Sequence, residues 1–213
     1  MPEARRREAE LSSPPLLEAG SIFKSFSGRP VLTGLDLRVS GAEIVGVGGE
    51  NGTGKTTLLR ILAGWLKPDA GERVTRGRLG YCPQEPLVFE RLSVTENLAF
   101  FAAAYSLRDW APLAGELLRR FRFEEQARQP VASVSGGTRQ KLNLVLALLH
   151  DPDVQLLDEP CSGLDWEAYL EFWRLASEAR ERGKALLVVS HLVHDRERYD
   201  RVFDLRGGRL QCV

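Results

Sequence analysis

A glycine-rich segment with the pattern G-x4-G-K-T runs from Gly49 to Thr56. Glycines let successive backbone N–H groups curve around phosphate oxygens, and a helix that follows adds the positive end of its dipole. The ammonium group of Lys55 would reach the β- and γ-phosphates of a nucleotide, and the hydroxyl of Thr56 would hold Mg²⁺. The segment therefore predicts a phosphate-binding loop, whose residues are Gly49, Asn51, Gly52, Thr53, Gly54, Lys55, Thr56 and Thr57.

Two adjacent carboxylates, Asp158 and Glu159, follow directly after the apolar run 154–157. Side chains at the carboxyl end of a strand in an open α/β sheet face the crevice where ligands bind. Asp158 suits the ligand shell of Mg²⁺. Glu159 would act as general base for an attacking water, a role worth about 10²–10⁴-fold in rate. Together with the glycine loop, the pair predicts hydrolysis of a bound nucleotide.

The composition excludes several classes of function. The 29 basic and 29 acidic residues give a formal charge of zero, so no overall field attracts nucleic acid or an anionic membrane. No stretch reaches the roughly 20 apolar residues that span a bilayer, which predicts a soluble chain. Cys82, Cys161 and Cys212 lack metal-ligand spacing and are expected to be reduced thiols. Residues 1–15 are expected to form a disordered tail.

Apolar runs that alternate with helical segments predict an α/β fold with a mainly parallel sheet. The expected strands are 35–39, 43–48, one or two short strands within 73–81, 154–157 and 185–189, with a hairpin in 201–213. A capping box at Ser93 and Glu96 opens one of the expected helices. The expected helices are 55–63, 94–105, 109–122, 135–150 and 165–182.

The order of the motifs resembles one family. The phosphate loop is followed by Gln84 in Tyr81-Cys82-Pro83-Gln84, by Ser135-Gly136-Gly137-Thr138-Arg139, by the acidic pair, by Ser162-Gly163-Leu164-Asp165 and by His191. Over residues 16–213 this series resembles the nucleotide-binding domain of ATP-binding cassette (ABC) proteins. The resemblance implies a P-loop NTPase with a mainly parallel core sheet, a short antiparallel β portion and an inserted helical subdomain at about 85–150.

The resemblance also implies roles for single residues. Gln84 would contact Mg²⁺ and the attacking water, and His191 would hold the γ-phosphate and pair with Glu159. Asp165 would couple two active sites. Phe26 would stack on the adenine, with packing in the core as the alternative for this side chain. The residues that would bind the ATP held by an opposite subunit are Ser135, Gly136 and Gly137.

Some positions depart from the family pattern or have a structural interpretation. The segment Ser135-Gly136-Gly137-Thr138-Arg139 corresponds to the signature of the family, and Thr138 stands where that signature usually has glutamine. Gln155 interrupts the apolar run before Asp158 and predicts an edge or lightly covered strand position. Trp166, Tyr169 and Trp173 have the i, i+3, i+7 spacing of a core-facing stripe. The remaining expectations are a structural His150 and solvated faces at Arg119-Arg120 and at 180–182.

The resemblance implies an ATP-binding and ATP-hydrolysing subunit of an ABC transporter, with ATP and Mg²⁺ bound between two cassettes that close head to tail. The partners would be a second copy or a similar cassette and a membrane permease, with export preferred, and no nucleic acid. The chain would then be cytoplasmic, peripheral on the inner face of the cell membrane. Phe89, Leu92 and Phe101 are candidates for a permease-docking groove, or else for buried core.

Two other classes of function share part of this pattern. The first is a soluble ABC-F-like ATPase that acts on the ribosome or on nucleic acid. Such proteins carry two cassettes and a charged linker, and a neutral chain lacks the basic surface that binding to a phosphate backbone needs. The second is a P-loop kinase or GTPase, which would leave Ser135 and His191 unexplained.

Overall fold

The structure is a computed structural model that describes residues 14–191 and 195–213. Of the expected tail at 1–15, only Pro14 and Pro15 are among the described residues. The described part contains two sheets and five α-helices, and the α/β class expected from the sequence is confirmed.

Six strands form the larger sheet: β3 Glu43–Gly48, β5 Leu79–Cys82, β6 Val154–Asp158, β7 Ala185–Val189, β8 Arg201–Arg206 and β9 Arg209–Cys212. Their order across the sheet is β5-β6-β7-β3-β8-β9. The first five are parallel to their neighbours, and β9 returns antiparallel to β8 as the expected hairpin. Strands β6, β7 and β3 are almost entirely buried, as parallel strands covered on both faces must be.

The smaller sheet is antiparallel, with the order β2-β1-β4. Its strands are β1 Leu17–Phe26, β2 Arg29–Val39 and β4 Ala70–Thr75. The sequence did not predict β1, and it predicted only the last five residues of β2. The inner face of this sheet buries Leu17, Ile22 and Leu35. A short antiparallel portion is therefore present, as the resemblance implied.

Helix α1, Lys55–Leu62, lies directly after the glycine loop and packs between the two sheets. Its Leu58, Leu59 and Ile61 are fully buried with Val47 of β3 and Leu156 of β6. The loop is thus held between a buried strand and a buried helix, which fixes the path of its backbone.

Residues 94–148 supply three helices, in agreement with the expected helical subdomain: α2 Val94–Ala104, α3 Ala111–Arg120 and α4 Gly136–Leu148. The capping box of Ser93 and Glu96 is present at the start of α2, and Ser135 caps α4. The expected start of α3 at Asp109 is wrong. The cap is Trp110, which makes no side-chain cap bond, and Pro112 follows in the first turn, where its missing N–H is not needed.

The polarity of Gln155 gave a wrong expectation. This residue lies in β6, between β5 and β7, and only 5% of its surface is exposed. The position is therefore interior, and the strand's place in the sheet decides its burial.

Helix α5, Trp166–Glu181, buries Trp173, leaves Tyr169 half-buried and exposes 69% of Trp166. The expected core stripe is thus wrong for Trp166, whose exposed ring stacks on Tyr169, with the ring centroids 5.3 Å apart, instead of entering the core. The expectation of a solvated Arg120 is also wrong. Its guanidinium binds Glu171 and Glu178 of α5, and so joins α3 to that helix.

Candidate nucleotide site

The backbone of the glycine loop adopts conformations that side chains with a Cβ rarely allow. Gly52 and Gly54 have φ angles of 81° and 105°. A Cβ on Gly54 would lie 2.7 Å from Cγ1 of Val31, so both the conformation and the close approach require glycine there. The Lys55 ammonium donates to the carbonyl oxygens of Gly49 and Glu50 at 2.6 and 2.8 Å. Lys55 thus reaches across the concave side of the loop.

A polar cavity of about 390 Å³ lies between the loop and the ends of β5 and β6. The structure brings together here ten of the residues that the sequence singled out: Phe26, Asn51, Gly52, Gly54, Lys55, Thr56, Thr57, Gln84, Asp158 and Glu159. Gly49, Thr53 and His191 line an adjacent groove of about 580 Å³ beside β8. The two concave surfaces lie on either side of the glycine loop.

The donor set at Asp158 fits a magnesium ion. Asp158 ends β6, and its Oδ2 atom is buried without a hydrogen-bond partner among the described residues. Burial raises the pKa of this carboxyl, and the Thr56 hydroxyl acts in the opposite direction. A carboxylate oxygen beside a hydroxyl is the hard-oxygen environment that Mg²⁺ prefers. Thr56 and Asp158 would therefore hold the ion, with Gln84 on the wall of the same cavity.

Glu159 is held in one orientation by the residues that follow β7. His191 donates its backbone N–H to Oε1 at 2.5 Å, its ring Nδ1 lies 3.1 Å from Oε2, and the Ser190 hydroxyl donates to Oε2 at 3.1 Å. The backbone N–H of Glu159 donates to Val189 O at 2.9 Å. These contacts offset the cost of a positive φ of 49°, which is about 1–2 kcal/mol for a residue with a side chain. The result is a fixed carboxylate at the cavity wall.

Phe26 lies at the rim of the cavity rather than in the core, with 46% of its surface exposed. The Lys24 ammonium lies 5.5 Å from its ring centroid and 2.7 Å from the Asp69 carboxylate. Asp69 also accepts the backbone N–H of Ser25 at 2.7 Å. The end of β1 is therefore held to Asp69 through Lys24 and Ser25, and the exposed part of the Phe26 ring is available as a stacking surface.

The signature residues lie elsewhere in the chain's fold. Ser135, Gly136, Gly137 and Asp165 do not line the cavity; they lie at the N-terminal ends of α4 and α5. Ser135 Oγ accepts the backbone N–H of Thr138 at 3.1 Å and lies 3.0 Å from the Thr138 hydroxyl. Thr138, the departure from the family pattern, thus contacts the signature serine directly. Asp165 caps α5 through the N–H of Ala168 at 2.8 Å.

Residues 32–162 match the family model described as ABC transporter, which is more than half of the chain. The chain belongs to the ABC transporter family. Members of this family contribute ATP-binding subunits, which are ATPases coupled to transport. The P-loop NTPase fold expected from the motif order is confirmed in this ABC domain.

Named relatives of the ABC domain include two Nod factor export ATP-binding proteins I. That of Rhizobium meliloti (strain 1021) is 33% identical over 207 residues, which cover 90% of this chain and 62% of the relative. That of Paraburkholderia xenovorans (strain LB400) is 35% identical over 196 residues, with coverages of 85% and 64%. Human ATP-binding cassette sub-family A member 9 is 35% identical over 188 residues, but they make up only 12% of that protein. The chain thus spans less than two thirds of the length of these relatives.

Two solved structures resemble the ABC domain. One, titled as the ATP-binding subunit of an ABC transporter, has a TM-score of 0.86 and 30% identity, over 92% of this chain and 88% of that one. The other is cbiO1 from Clostridium perfringens, part of the transporter complex cbiONQ, with a TM-score of 0.77, 24% identity and coverages of 93% and 88%. The second likeness shows the fold alone. Among the described residues, no helix has the length and apolar character needed to cross a membrane.

Sequence reasoning missed four residues that contribute to the site of the ABC domain. Val31 packs under Gly54, Lys24 and Asp69 fix the Phe26 rim, and Ser190 holds Glu159. Ser190 precedes His191 directly, so its place in the motif could have indicated it. Lys24 and Asp69 are 45 residues apart, and no local pattern links them.

Proposed function

We propose that this ABC domain binds ATP with Mg²⁺, hydrolyses it to ADP and phosphate, and powers a separate membrane permease. The observation that carries the proposal is the fixed carboxylate of Glu159 on the wall of a cavity whose opposite wall is the glycine loop. The Glu159 carboxylate, which can accept a proton, is thereby held beside the glycine loop, which can bind phosphates.

Several residues of the cavity take part in this reaction. The loop N–H groups and the Lys55 ammonium bind the β- and γ-phosphates, and Phe26 stacks on the adenine. Glu159 takes a proton from the attacking water as the water oxygen bonds to the γ-phosphorus and the bond to the β-phosphate oxygen breaks. Mg²⁺ supplies positive charge that stabilises the charge on the phosphate oxygens. The phosphate leaves, and Glu159 returns its proton to solvent.

We infer that turnover needs a second cassette, either a copy of this chain or a similar one. The signature residues Ser135, Gly136 and Gly137 do not line the chain's own cavity, and a Cβ on Gly136 would meet no atom within 4 Å. In a head-to-tail dimer they would contact the γ-phosphate of ATP bound by the partner. Because Lys55, Ser135, Glu159 and His191 occur in one chain, a homodimer would contain two complete sites.

The partner that receives the energy would be a membrane permease, which places the domain at the cytoplasmic face of the membrane. An exposed apolar surface, here called the docking patch, is formed by Leu87, Phe89 and Phe100, and Phe100 packs on the half-buried Phe101. The ring centroids of Phe89 and Phe100 lie 4.6 Å apart. Of the expected groove residues, Phe89 is exposed while Leu92 and Phe101 are half-buried. Aromatic side chains that pack together at the surface are typical of protein contact sites.

The direction of transport is proposed as export, because two of the relatives named above are export ATP-binding proteins. The names of these relatives favour a transporter over the ABC-F-like alternative. The cargo would be selected by the permease.

Phosphate release by the purified chain with ATP and Mg²⁺ tests the ATPase proposal. Glu159→Gln should lower the rate by about 10²–10⁴-fold and still bind ATP. Size-exclusion chromatography with ATP should then show a stable dimer of the variant. Glu72→Gln, at an exposed position in β4, is the matched control and should keep the wild-type rate. Wild-type turnover by Glu159→Gln would exclude Glu159 as the base.

Copurification tests the transporter role. The tagged chain is expressed with the membrane protein encoded beside it, and membranes and ribosomes are then separated. Recovery with the membranes supports the permease partner. Recovery with ribosomes would contradict it and would support the ABC-F-like alternative.

A further inference from the structure

A tyrosine on α5 is hydrogen-bonded to the segment that follows His191. The Tyr169 hydroxyl lies 2.5 Å from Oδ2 of Asp195, four residues after His191 in the chain. The same carboxylate oxygen accepts Nε of Arg198 at 2.9 Å. Burial and the neighbouring Asp195 raise the pKa of Tyr169, so its hydroxyl stays protonated at neutral pH and donates this bond.

Aromatic contacts strengthen the same connection. The Arg198 guanidinium lies 5.7 Å from the ring centroid of Tyr169 and 5.4 Å from that of Trp173. The edge-to-face pair of Trp173 and Tyr199 has a centroid distance of 5.1 Å. Cation–π and edge-to-face pairs each stabilise such a contact. We call this set the α5 clamp; it consists of Tyr169, Trp173, Asp195, Arg198 and Tyr199.

Helix α5 is a rigid base for the clamp. Phe172, Trp173 and Ala176 are buried in the main core. At its N-terminal end, Asp165 caps the helix and pairs with Lys141 at 2.7 Å. A residue that binds to this helix is therefore fixed in position relative to Glu159 and the rest of the core.

The clamp is adjacent to the Glu159–His191 pair. One cavity of about 260 Å³ is lined by Glu159 and His191 together with four clamp residues: Tyr169, Trp173, Asp195 and Tyr199. The His191 side chain is 55% exposed, so packing alone does not fix it. Its position depends on the contact with Glu159, on β7, which ends two residues before it, and on the clamp residues that line the same cavity.

We infer that Tyr169 is a positioning residue for ATP hydrolysis. By holding Asp195, its hydroxyl fixes the wall that the clamp forms in the cavity shared with Glu159 and His191, and so keeps the imidazole on Glu159 and toward the γ-phosphate. The inference rests on the proposed function. Tyr169 contacts neither the nucleotide cavity nor the phosphate loop, and it acts through His191.

Tyr169→Phe tests the role, because it removes the hydroxyl and keeps the ring. We expect kcat for ATP to fall about tenfold, less than the roughly hundredfold that a 1 Å misplacement can cause. KM for ATP should stay within twofold of the wild-type value. The urea midpoint of unfolding should equal that of the wild type within error. Asp195→Ala, which removes the acceptor of the Tyr169 bond, should give a similar loss. Tyr105→Phe is the matched control, since Tyr105 is also partly buried but stacks on His150 instead.

A double variant separates positioning from a general structural effect. In a His191→Ala background, Tyr169→Phe should cause no further loss of kcat, because the residue through which it acts is absent. A further tenfold loss there, or an unchanged kcat in the single variant, would overturn the inference. Absence of phosphate release from the wild type would instead overturn the proposed function, so the two failures are distinguishable.

Discussion

The ammonium group of Lys141 lies 2.7 Å from the Asp165 carboxylate, which joins the signature helix α4 to the residue that caps α5. Two further contacts run alongside it. Gln140 Nε2 donates to Pro160 O at 3.0 Å, and a Cβ on Gly137 would lie 2.9 Å from Gly163 O. The helix whose N-terminus would contact the partner's ATP is therefore packed on the loop that follows Glu159, the residue that would act on the chain's own ATP.

The charge of Asp165 should stabilise the fold in a pH-dependent manner. The hydrogen bond from Lys141, followed by that from the Ala168 N–H, holds the pKa of Asp165 below its ordinary value of 3.8. A folded-state pKa that is depressed contributes stability above the unfolded value, and the contribution is lost as the pH falls through the folded value. Wild type and Asp165→Asn should thus differ in unfolding free energy at neutral pH and converge below about pH 4.

Urea unfolding at a series of pH values measures this difference. It should not exceed about 1 kcal/mol, because the Asp165 side chain is largely exposed to solvent. In a Lys141→Met background the pH-dependent part should shrink. A difference that grows toward acid pH would contradict the assignment.

Two adjacent glycines of the signature should respond in opposite ways to alanine. A Cβ on Gly137 would meet the Gly163 carbonyl oxygen at 2.9 Å, and a backbone atom cannot move away cheaply; a Cβ on Gly136 would meet nothing within 4 Å. Alanine in a helix is favoured over glycine by up to about 1 kcal/mol. Gly136→Ala should therefore raise the free energy of unfolding, whereas Gly137→Ala should lower it by about 1–3 kcal/mol. If the two substitutions had equal effects on urea unfolding, the loop at Gly163 would have to move to make room for the methyl group.

Local chemistry made much of the fold predictable. The capping box at Ser93 and the cap at Ser135 depend on residues three positions apart, and both are present. Strand β1 was missed because its register shifts between Ala19 and Ile22, where Ser21 has a φ of 49°. This irregularity breaks the alternation by which a half-buried strand is recognised.

Most of the other differences between the expected and the observed structure come from contacts between residues that are far apart in the sequence. Arg120 was expected on a solvated face, but its partners Glu171 and Glu178 lie 51 and 58 residues away in the chain. Gln155 was misassigned because polarity at one position does not reveal where its strand lies in the sheet. At the site, Glu159 and His191 were found from motif order, whereas the Lys24–Asp69 pair has no motif.

Removal of the Lys55 ammonium should abolish ATP binding. The ammonium donates to the carbonyl oxygens of Gly49 and Glu50 on the concave side of the loop, where a bound phosphate would lie within its reach. A ligand that binds only the folded state raises the melting temperature, so ATP should stabilise the wild type in a thermal shift assay and leave Lys55→Ala unchanged. Lys67→Ala, at an exposed position, should behave as the wild type. Unaltered ATP affinity in Lys55→Ala would contradict the assigned role.

Phe26 should contribute to nucleotide affinity without selecting the base. Stacking of a base on an aromatic ring is worth about 1–3 kcal/mol, which corresponds to roughly 5- to 150-fold in affinity and hence in KM. Phe26→Ala should therefore raise KM for ATP and for GTP by similar factors, with kcat nearly unchanged. Phe23→Ala is the control, because Phe23 is equally exposed on the same strand but does not line the cavity. A selective loss for ATP would indicate that the base edge is read.

The docking patch should be needed for association with the permease and not for ATP hydrolysis. Phe100 is 49% exposed and packs against Phe89 and Phe101, so Phe100→Glu places a charge in the middle of the apolar surface. A buried charge without a partner is costly, and binding to an apolar partner surface should weaken at least tenfold. Cosedimentation with membranes that contain the permease measures the association, and phosphate release from the free chain should stay within twofold of the wild type. Val74→Glu, an exposed apolar position on β4, is the control and should cosediment normally. Equal cosedimentation of both variants with the wild type would exclude this surface as the contact site.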